Sequence, residues 1–150
     1  ADQGHANAQY SLGCMYCRGE VVAQDNKKAL NWFHQAADQG FSDAQLKIGN
    51  MYREGHGVAQ DYSEAARWAR KAADQGHAGA QSILGMMYRV GEGVTIDYNE
   101  AVRWYRKSAN QGDADSQLYL GCCYHAGEGV AQDYNEAMRW YRKAANQDNA

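Results

Sequence analysis

The sequence predicts an all-α fold, a right-handed α/α superhelical solenoid of four helix hairpins with a 36-residue period. Five kinds of residue recur at a constant spacing of 36, and a fixed period of roughly 20 to 50 residues is typical of stacked repeats. The chain has no proline and 16 glycines, so glycine must form the turns between helices. The recurring positions are Trp32, Trp68, Trp104 and Trp140; Gly13, Gly49, Gly85 and Gly121; Tyr16, Tyr52, Tyr88 and Tyr124; Val22, Val58, Val94 and Val130; and Asp25, Asp61, Asp97 and Asp133.

A length of 150 residues is typical of one domain, and we expect a single repeat domain over 1–150. The units are predicted at about 1–36, 37–72, 73–108 and 109–144, with the end of the last helix at 145–150. Residues 1–3 repeat the Ala-Asp-Gln of residues 37–39, so we expect them to match the tail of a preceding second helix.

The first helix of each unit is predicted over roughly residues 6–18 of the first copy. Ala8, Leu12, Met15 and Tyr16 are spaced i, i+4, i+7 and i+8, which places them on one helical face. Gly13 lies inside this helix, where glycine costs about 1 kcal/mol relative to alanine. The recurrence of this glycine therefore predicts the close approach of a neighbouring helix.

The second helix is predicted to begin after the recurrent aspartate. DYSE at 61–64 and DYNE at 97–100 and 133–136 place aspartate at the N-cap and glutamate three residues later, which resembles a capping box. Gln-Gly pairs at 39–40, 75–76 and 111–112 are expected to end the helix with glycine in a left-handed conformation. The predicted buried stripe is Ala65, Trp68, Ala69 and Ala72, matched by Ala101, Trp104, Tyr105 and Ser108.

The glycine-rich stretch VGEGVTIDYNEA (90–101) is similar at first sight to a phosphate-binding loop, but we interpret it as a connector. Gly91 and Gly93 lie between two predicted helices, Ile96 stands where a dinucleotide fingerprint has its third glycine, and the lysine of a P-loop is missing. Glu92 and Asp97 would repel a phosphate. Val94 is expected to fold the connector back onto the core.

The repeated pattern A-x-A-Q-x-x-L-G-x-M-Y…G-x-G-V-x-x-D-Y-x-x-A-x-x-W-Y-x-K-A-A closely resembles the Sel1-like repeat family, a tetratricopeptide-like class, over essentially the whole chain. The resemblance implies a non-enzymatic, bacterial adaptor that binds a protein or peptide partner. The first copy departs from the pattern at Val21, Asn26 and Lys28, so we expect its cap to be weak and its connector to fray first.

The resemblance also implies an alternative function. A secreted, cysteine-rich branch of the family has been linked to penicillin-like ligands, which makes a ligand-binding or β-lactam-hydrolysing protein the second candidate. That branch bridges the helices of each unit with a regular pair of cysteines. Here the second and third copies contain no cysteine.

Composition argues against several other functions. The formal net charge of −3 and the pI near 5.9 give no bulk attraction to nucleic acid or to an anionic membrane. No apolar run is long enough to insert into a membrane, and no catalytic or cofactor motif is found, so we predict no catalytic residue, cofactor or metal site. The sequence shows no targeting segment and leaves periplasmic, secreted and cytoplasmic locations all open.

The cysteines and histidines were tested as possible ligands. Cys14 and Cys17, like Cys122 and His125, are three residues apart on one helical face, with Cys123 beside them. Cys14 and Cys122 lie three repeats apart, too far for one zinc cage, and a thiol in the second half of a helix is not activated by the helix dipole. We interpret these cysteines as small core fillers.

A basic row recurs on the second helices and is predicted to be a solvated outer face. Glu64, Glu100 and Glu136 each stand three residues before an arginine of the row and neutralise part of its charge. The row consists of Arg67, Arg70 and Lys71; Arg103, Arg106 and Lys107; and Arg139, Arg142 and Lys143.

The predicted partner-binding site is a stripe on the first helices, which we expect to line the concave face of the solenoid. The fold does not fix these positions, since they differ among the repeats, and they mix apolar anchors with arginine. The residues of this first-helix stripe are Tyr10, Cys14, Cys17, Leu46, Lys47, Asn50, Arg53, Ser82, Met86, Arg89, Leu118, Tyr119, Cys122 and His125. Neither end of the array has an evident polar cap, so end-to-end self-association is a further expectation.

Overall fold

The structure, a computed structural model, describes the backbone of residues 2–19 and 21–147 and the side chains of residues 4–19 and 21–147. Within these ranges the chain forms eight α-helices and no β-strand, which confirms the all-α prediction. The helices form four consecutive hairpins in which the two members pack against each other. They are α1 (Asp2–Arg18), α2 (Asn26–Asp38), α3 (Ser42–Glu54), α4 (Tyr62–Asp74), α5 (Ala78–Val90), α6 (Tyr98–Asn110), α7 (Ala114–Ala126) and α8 (Tyr134–Ala145).

The hairpins fall into two compact units, residues 1–75 and residues 76–150. In the first unit α2 packs against α3, and Phe33, Ile48 and Met51 lie in the shared core. In the second unit α6 packs against α7, and Tyr105 and Leu120 lie in the corresponding core. Each unit therefore repeats the same arrangement of a second helix against the next first helix.

Helix α1 begins at Asp2, earlier than the predicted start near residue 6. Gly4 is absent from the glycines with positive φ, whereas Gly40, its equivalent, has φ 83° and ends α2. In the structure, residues 2–5 therefore belong to α1. Ala1 lies outside the described residues.

The predicted apolar face of the first helices is buried in α3, where Ala44 and Ile48 have no exposed area. The prediction is wrong for α1. Leu12 is 37% and Met15 41% exposed, and Ala8 is exposed as well. In α3 this face packs against the second helix of the preceding hairpin, and no described helix stands in that place beside α1.

The glycine inside each first helix permits the close helix approach that its recurrence predicts. A Cβ built on Gly13, Gly85 or Gly121 would lie 2.5–2.7 Å from the aromatic ring that packs over it from the second helix. Gly49 faces Ala69 instead of an aromatic residue, and its nearest neighbour would be the Ala65 carbonyl oxygen at 3.2 Å. The two helices of each hairpin therefore approach each other closely at the glycine of the first helix, where there is no side chain.

The second helices begin at the predicted N-caps, but the reciprocal half of the capping box is not formed. Asp97 accepts hydrogen bonds from the N–H groups of Asn99 and Glu100, whereas the Asp97 N–H donates to the Tyr88 carbonyl. The Glu100 carboxylate instead pairs with Arg103 at 2.9 Å. Asp61 and Asp133 repeat this arrangement. The backbone bond to the first helix occupies the donor that the glutamate would have reached.

The first copy keeps its cap despite the departures from the pattern. The Asp25 carboxylate accepts a hydrogen bond of 2.9 Å from the Lys28 N–H, and this bond lowers the pKa of Asp25. The expected weak cap is therefore wrong, because the capping oxygen needs only a backbone donor and that donor does not depend on the side chain at position 28.

The glycine-rich stretches are connectors, as predicted. Gly91 ends α5 with φ 79°, and Gly93 has φ 69°, so both adopt the left-handed conformation that glycine favours. The predicted Gln-Gly ends are also confirmed, since Gly40, Gly76 and Gly112 all have positive φ. Val58 and Val130, equivalents of Val94, pack against the cores of their units.

A row of glutamine pairs ties the end of each second helix to its own first helix. Gln75 donates to Gln45 at 2.7 Å, and Gln111 donates to Gln81 at 2.8 Å. Gln45 in turn donates to the Ala37 carbonyl at 3.4 Å, and Gln117 does the same to the Ala109 carbonyl at 3.2 Å. These bonds supply partners for buried amides and for carbonyls at helix ends.

We predict that Gly85→Ala lowers the free energy of unfolding by about 1–3 kcal/mol, although alanine favours a helix, because the new methyl group would overlap the buried Tyr105 ring. Gly49→Ala is the matched control, and its loss should be smaller because its nearest neighbour would lie at 3.2 Å. Urea denaturation of both variants measures the difference. An equal loss in the two would contradict the role of the aromatic contact.

Candidate functional site

The first half of the first-helix stripe lies on α1 and α3 in the first unit. All seven predicted positions here are half-buried: Tyr10, Cys14, Cys17, Leu46, Lys47, Asn50 and Arg53. The α1 members also pack against the core, and the Tyr10 ring lies 5.5 Å from Phe33 and 5.3 Å from Phe41 between ring centroids. These side chains therefore combine a packing role with an accessible edge.

The second half of the stripe lies on α5 and α7 in the second unit and is less uniform. Leu118 is 45% exposed and His125 is exposed, whereas Met86, Arg89, Tyr119 and Cys122 are half-buried. Ser82 is only 9% exposed, so it offers almost no surface to a partner. A serine is small enough for its neighbours to cover it, which the variation of this position among repeats could not reveal.

An ion pair fixes the central arginine of this second half. Arg89 Nε donates to Glu128 Oε2 at 3.1 Å and joins α5 to the connector between α7 and α8. Burial opposes the charge of Arg89, but the hydrogen bond and the charge of Glu128 outweigh it and raise the pKa of Arg89. Glu128 was not among the predicted residues, although Glu92 and Glu128 recur at one connector position and this recurrence is a signal for it.

Two tyrosines of the second helices approach the stripe in the second unit. The Tyr105 and Tyr119 rings lie 5.2 Å apart between centroids, and the Tyr141 hydroxyl is 3.5 Å from Cys122 Sγ. The Tyr105 hydroxyl is buried and has no hydrogen-bond partner among the described residues. Burial raises its pKa, so this hydroxyl stays protonated. The surface is aromatic and polar but carries no reactive anion.

The cysteines are free thiols, and two of them lie where burial disfavours the thiolate. Burial raises the pKa of Cys17 and raises the pKa of Cys123 to about 11. Both thiols are therefore held in the unreactive protonated form. No group of three or more potential metal ligands occurs among the residues that the structure describes.

The basic row is carried by the second helices, and several of its charges have partners. Arg67, Arg103 and Arg139 pair with the glutamate three residues before each of them. Lys71, Lys107 and Lys143 lie over the rings of Trp68, Trp104 and Trp140 at 3.9–4.2 Å from the centroids. The predicted neutralisation by glutamate is confirmed, and the lysine–tryptophan contacts are an addition that sequence spacing did not suggest.

These features define a class of protein: an all-α array of helix hairpins whose repeated framework carries a variable surface. The Sel1 repeat family model matches residues 6–41, 42–77, 78–113 and 114–149, and the chain belongs to this family. Proteins built from Sel1 repeats are generally non-catalytic scaffolds for protein–protein interaction. None of the described helices has both the length and the hydropathy needed to cross a bilayer.

Solved bacterial structures share this fold. A protective antigen of uropathogenic Escherichia coli strains, described as displaying an SLR fold, is 44% identical with a TM-score of 0.94, over 98% of this chain and 32% of that one. A Sel1 repeat protein from Oxalobacter formigenes is 37% identical with a TM-score of 0.90, over 97% of this chain and 60% of that one. Helicobacter pylori cysteine rich protein B is 25% identical with a TM-score of 0.63, over 77% of this chain and 89% of that one.

The chain is shorter than the first two of these neighbours, of which it spans 32% and 60%. Comparison with curated proteins gives no match. The family and the fold of the chain follow from these comparisons, and no particular partner does.

The half-buried His34 makes a ring contact that has a pH-dependent consequence. Its ring lies 5.2 Å from that of Trp68 between centroids, and burial lowers its pKa below 6.5; the Lys71 charge acts in the same direction and Asp38 opposes it. The folded protein therefore binds this proton more weakly than the unfolded chain does. The contribution of His34 to stability is complete above the unfolded pKa and is lost as the pH falls below it.

We predict that the wild-type protein loses more unfolding free energy than His34→Gln between about pH 7.5 and about pH 5, because only the wild type must protonate a partly buried imidazole. The measurement is urea denaturation at both pH values. Asn31→Gln, a change between uncharged side chains at an exposed position of the same helix, is the control and should keep the wild-type dependence. The same pH dependence in the His34 variant and the wild type would contradict the argument.

Proposed function

We propose that this chain is a non-enzymatic protein-interaction module that binds a protein or peptide partner through the first-helix stripe, on the face that lines the concave side of such arrays. One observation carries the proposal. The stripe differs in every repeat, while the alanine, glycine and glutamine positions beside it recur because packing requires them. Residues that the framework does not require are available for recognition.

The arginines of the stripe support this proposal. Arginine is frequent among the residues that dominate binding energies at protein interfaces. Arg53 is held beside Glu54 at 3.7 Å, and Arg89 beside Glu128 at 3.1 Å, so both side chains are already restricted before a partner arrives. Restricted side chains lose less conformational entropy on binding.

We predict that Arg53→Ala combined with Arg89→Ala abolishes partner capture and leaves helicity intact, because both arginines belong to the proposed contact surface. Capture is measured by placing a photo-reactive amino acid at Asn50 and identifying the cross-linked proteins by mass spectrometry in a lysate of the source bacterium. Circular dichroism checks the fold.

The matched control is Arg67→Ala combined with Arg139→Ala, which removes the same number of charges from arginines that also pair with glutamates, but on the basic row. This control should retain the cross-links. Cross-links that survive in the stripe variant, or that are lost equally in both variants, would remove the stripe as the binding site.

The second candidate is a ligand-binding or β-lactam-hydrolysing protein like those of the cysteine-rich branch. The likeness to the Helicobacter pylori cysteine rich protein favours it, but the four cysteines here are free and stand in the first and last repeats alone. Turnover of a β-lactam by the purified chain, or a melting curve sensitive to a chelator, would favour this alternative over the interaction module.

We also infer that each end of the array provides a face for another Sel1-type helix. Leu12 and Met15 are exposed on α1, and Met138 is 52% exposed on α8, whereas Leu30 and Val102, the equivalents of Met138, are 8% and 4% exposed. A second copy of the chain, or further repeats of a longer one, would cover both faces. Contacts of this heterologous kind do not close into a ring by themselves.

We predict that the average mass of the 150-residue chain in solution rises with concentration, and that Met138→Glu reduces this rise because a charge would be buried in the contact. Static light scattering measures the mass. Ile96→Glu is the control, since Ile96 is 53% exposed on a connector away from both end faces. A strict monomer at the highest concentration reached would end the idea of self-association.

A further inference from the structure

A groove with a volume of about 380 Å³ lies between α6 and the connector that joins α7 to α8, within the second unit. This volume falls in the range of roughly 300–1,000 Å³ that ligand pockets occupy. Helix α6 contributes three cations, Arg103, Arg106 and Lys107, and the connector contributes Gly129 and Val130. We call this feature the basic groove. It is separate from the first-helix stripe.

The wall of the basic groove is held in place by a close backbone contact. Gly129 has φ 69°, and a Cβ at this position would overlap the Tyr98 carbonyl group. The connector is thus pressed against the first turn of α6 as closely as a glycine allows. Val130 packs against the core of the unit and anchors the connector from the other side. The groove exists before any ligand binds.

The three cations are positioned by contacts that leave part of their charge available. Arg106 Nη2 donates to the Tyr124 hydroxyl at 2.9 Å, which is one of the five hydrogen bonds that a guanidinium can donate. Lys107 Nζ lies 4.2 Å above the Trp104 ring, a contact that uses no hydrogen-bond donor. Arg103 is partly neutralised by Glu100 at 2.9 Å. The groove keeps an excess of positive charge on a chain whose net charge is −3.

The chemistry of the lining favours carboxylates carried by a peptide over a bare phosphate. None of the residues that line the groove is acidic. Asn99 and Asn110 also line it, and a side-chain amide can both donate to a peptide carbonyl and accept from a peptide N–H. Val130 is half-buried and offers an apolar edge beside the polar groups, which a phosphate cannot use.

We propose that the basic groove is a second binding site of this chain and that it takes an acidic peptide segment of a partner protein. Carboxylates of the segment pair with Arg106 and Lys107, and an apolar side chain between them lies on Val130. This site acts independently of the first-helix stripe, so loss of one leaves the other in place.

The corresponding positions of the first unit provide a natural comparison. Helix α6 carries Arg103, Arg106, Lys107 and Asn110 at the groove. The equivalent residues of α2, in the same order, are Asn31, His34, Gln35 and Asp38. The connector next to α2 makes a similar approach, since a Cβ on Gly57 would lie 2.8 Å from Asn26. Beside α2 the framework therefore recurs, but the cations do not. The α2 residues are substitutions that this fold already accommodates at these positions.

The test uses the whole chain and a fluorescein-labelled pentapeptide that alternates glutamate and valine, with binding followed by fluorescence anisotropy. The site variant combines Arg103→Asn, Arg106→His and Lys107→Gln. The control variant combines Arg139→Asn, Arg142→His and Lys143→Gln, which removes the same three cations from α8, where no described connector lies alongside. The two variants have equal formal net charge, so unspecific attraction affects both alike.

We expect the site variant to bind the peptide at least about tenfold more weakly and the control variant to change by less than about twofold, because charge-assisted hydrogen bonds are lost only where the groove holds the ligand. A peptide with glutamine in place of glutamate should not bind. Equal weakening in both variants, absence of binding to the wild type, or tighter binding of a single-stranded oligonucleotide of matched charge would each overturn the proposal. Cross-linking from Asn50 should be unchanged in the site variant, which separates this proposal from the first.

Discussion

The distance between the two helices of each hairpin is set by a glycine that faces the partner helix without a side chain. Aromatic rings occupy the space over Gly13, Gly85 and Gly121, so the helices pack closely and the ring is fully or largely enclosed. Alanines fill most of the remaining contacts, which leaves little room for larger side chains. The recurring sequence pattern follows from this one geometric requirement, because each repeat must satisfy it again.

The close approach also places polar groups where they need partners. Buried glutamines meet the amides and carbonyls at the ends of the second helices, and aspartates cap their starts while their own N–H groups bond to the first helix. These contacts give the backbone N–H and carbonyl groups at the helix ends their hydrogen-bond partners without using the residues of the first-helix stripe. The buried thiols have raised pKa values for the same reason, since the core that encloses them disfavours a charge.

Two surfaces with different chemistry remain outside this framework. The first-helix stripe is mixed, with aromatic, thiol and arginine side chains, and the basic groove combines cations with amides and valines. Repeats with the same backbone can differ on both surfaces, as the contrast between α2 and α6 illustrates. A Sel1 scaffold can in this way change its partners without changing its packing, which fits the family's general use in protein–protein interaction.

The sequence by itself determined the eight helices, the connectors and the buried stripe of α4 and α6, because each depends on local periodicity, glycine conformation and capping that recur with the 36-residue repeat. It also placed the variable stripe on one helix face. The tertiary structure alone decided that Leu12 and Met15 are exposed, that Ser82 is covered, that Glu100 pairs with Arg103, and that Arg89 meets Glu128. Burial and pairing of this kind depend on which residue is the spatial neighbour. Equivalent positions of the repeats follow the same sequence pattern but have different neighbours, so the pattern does not contain that information.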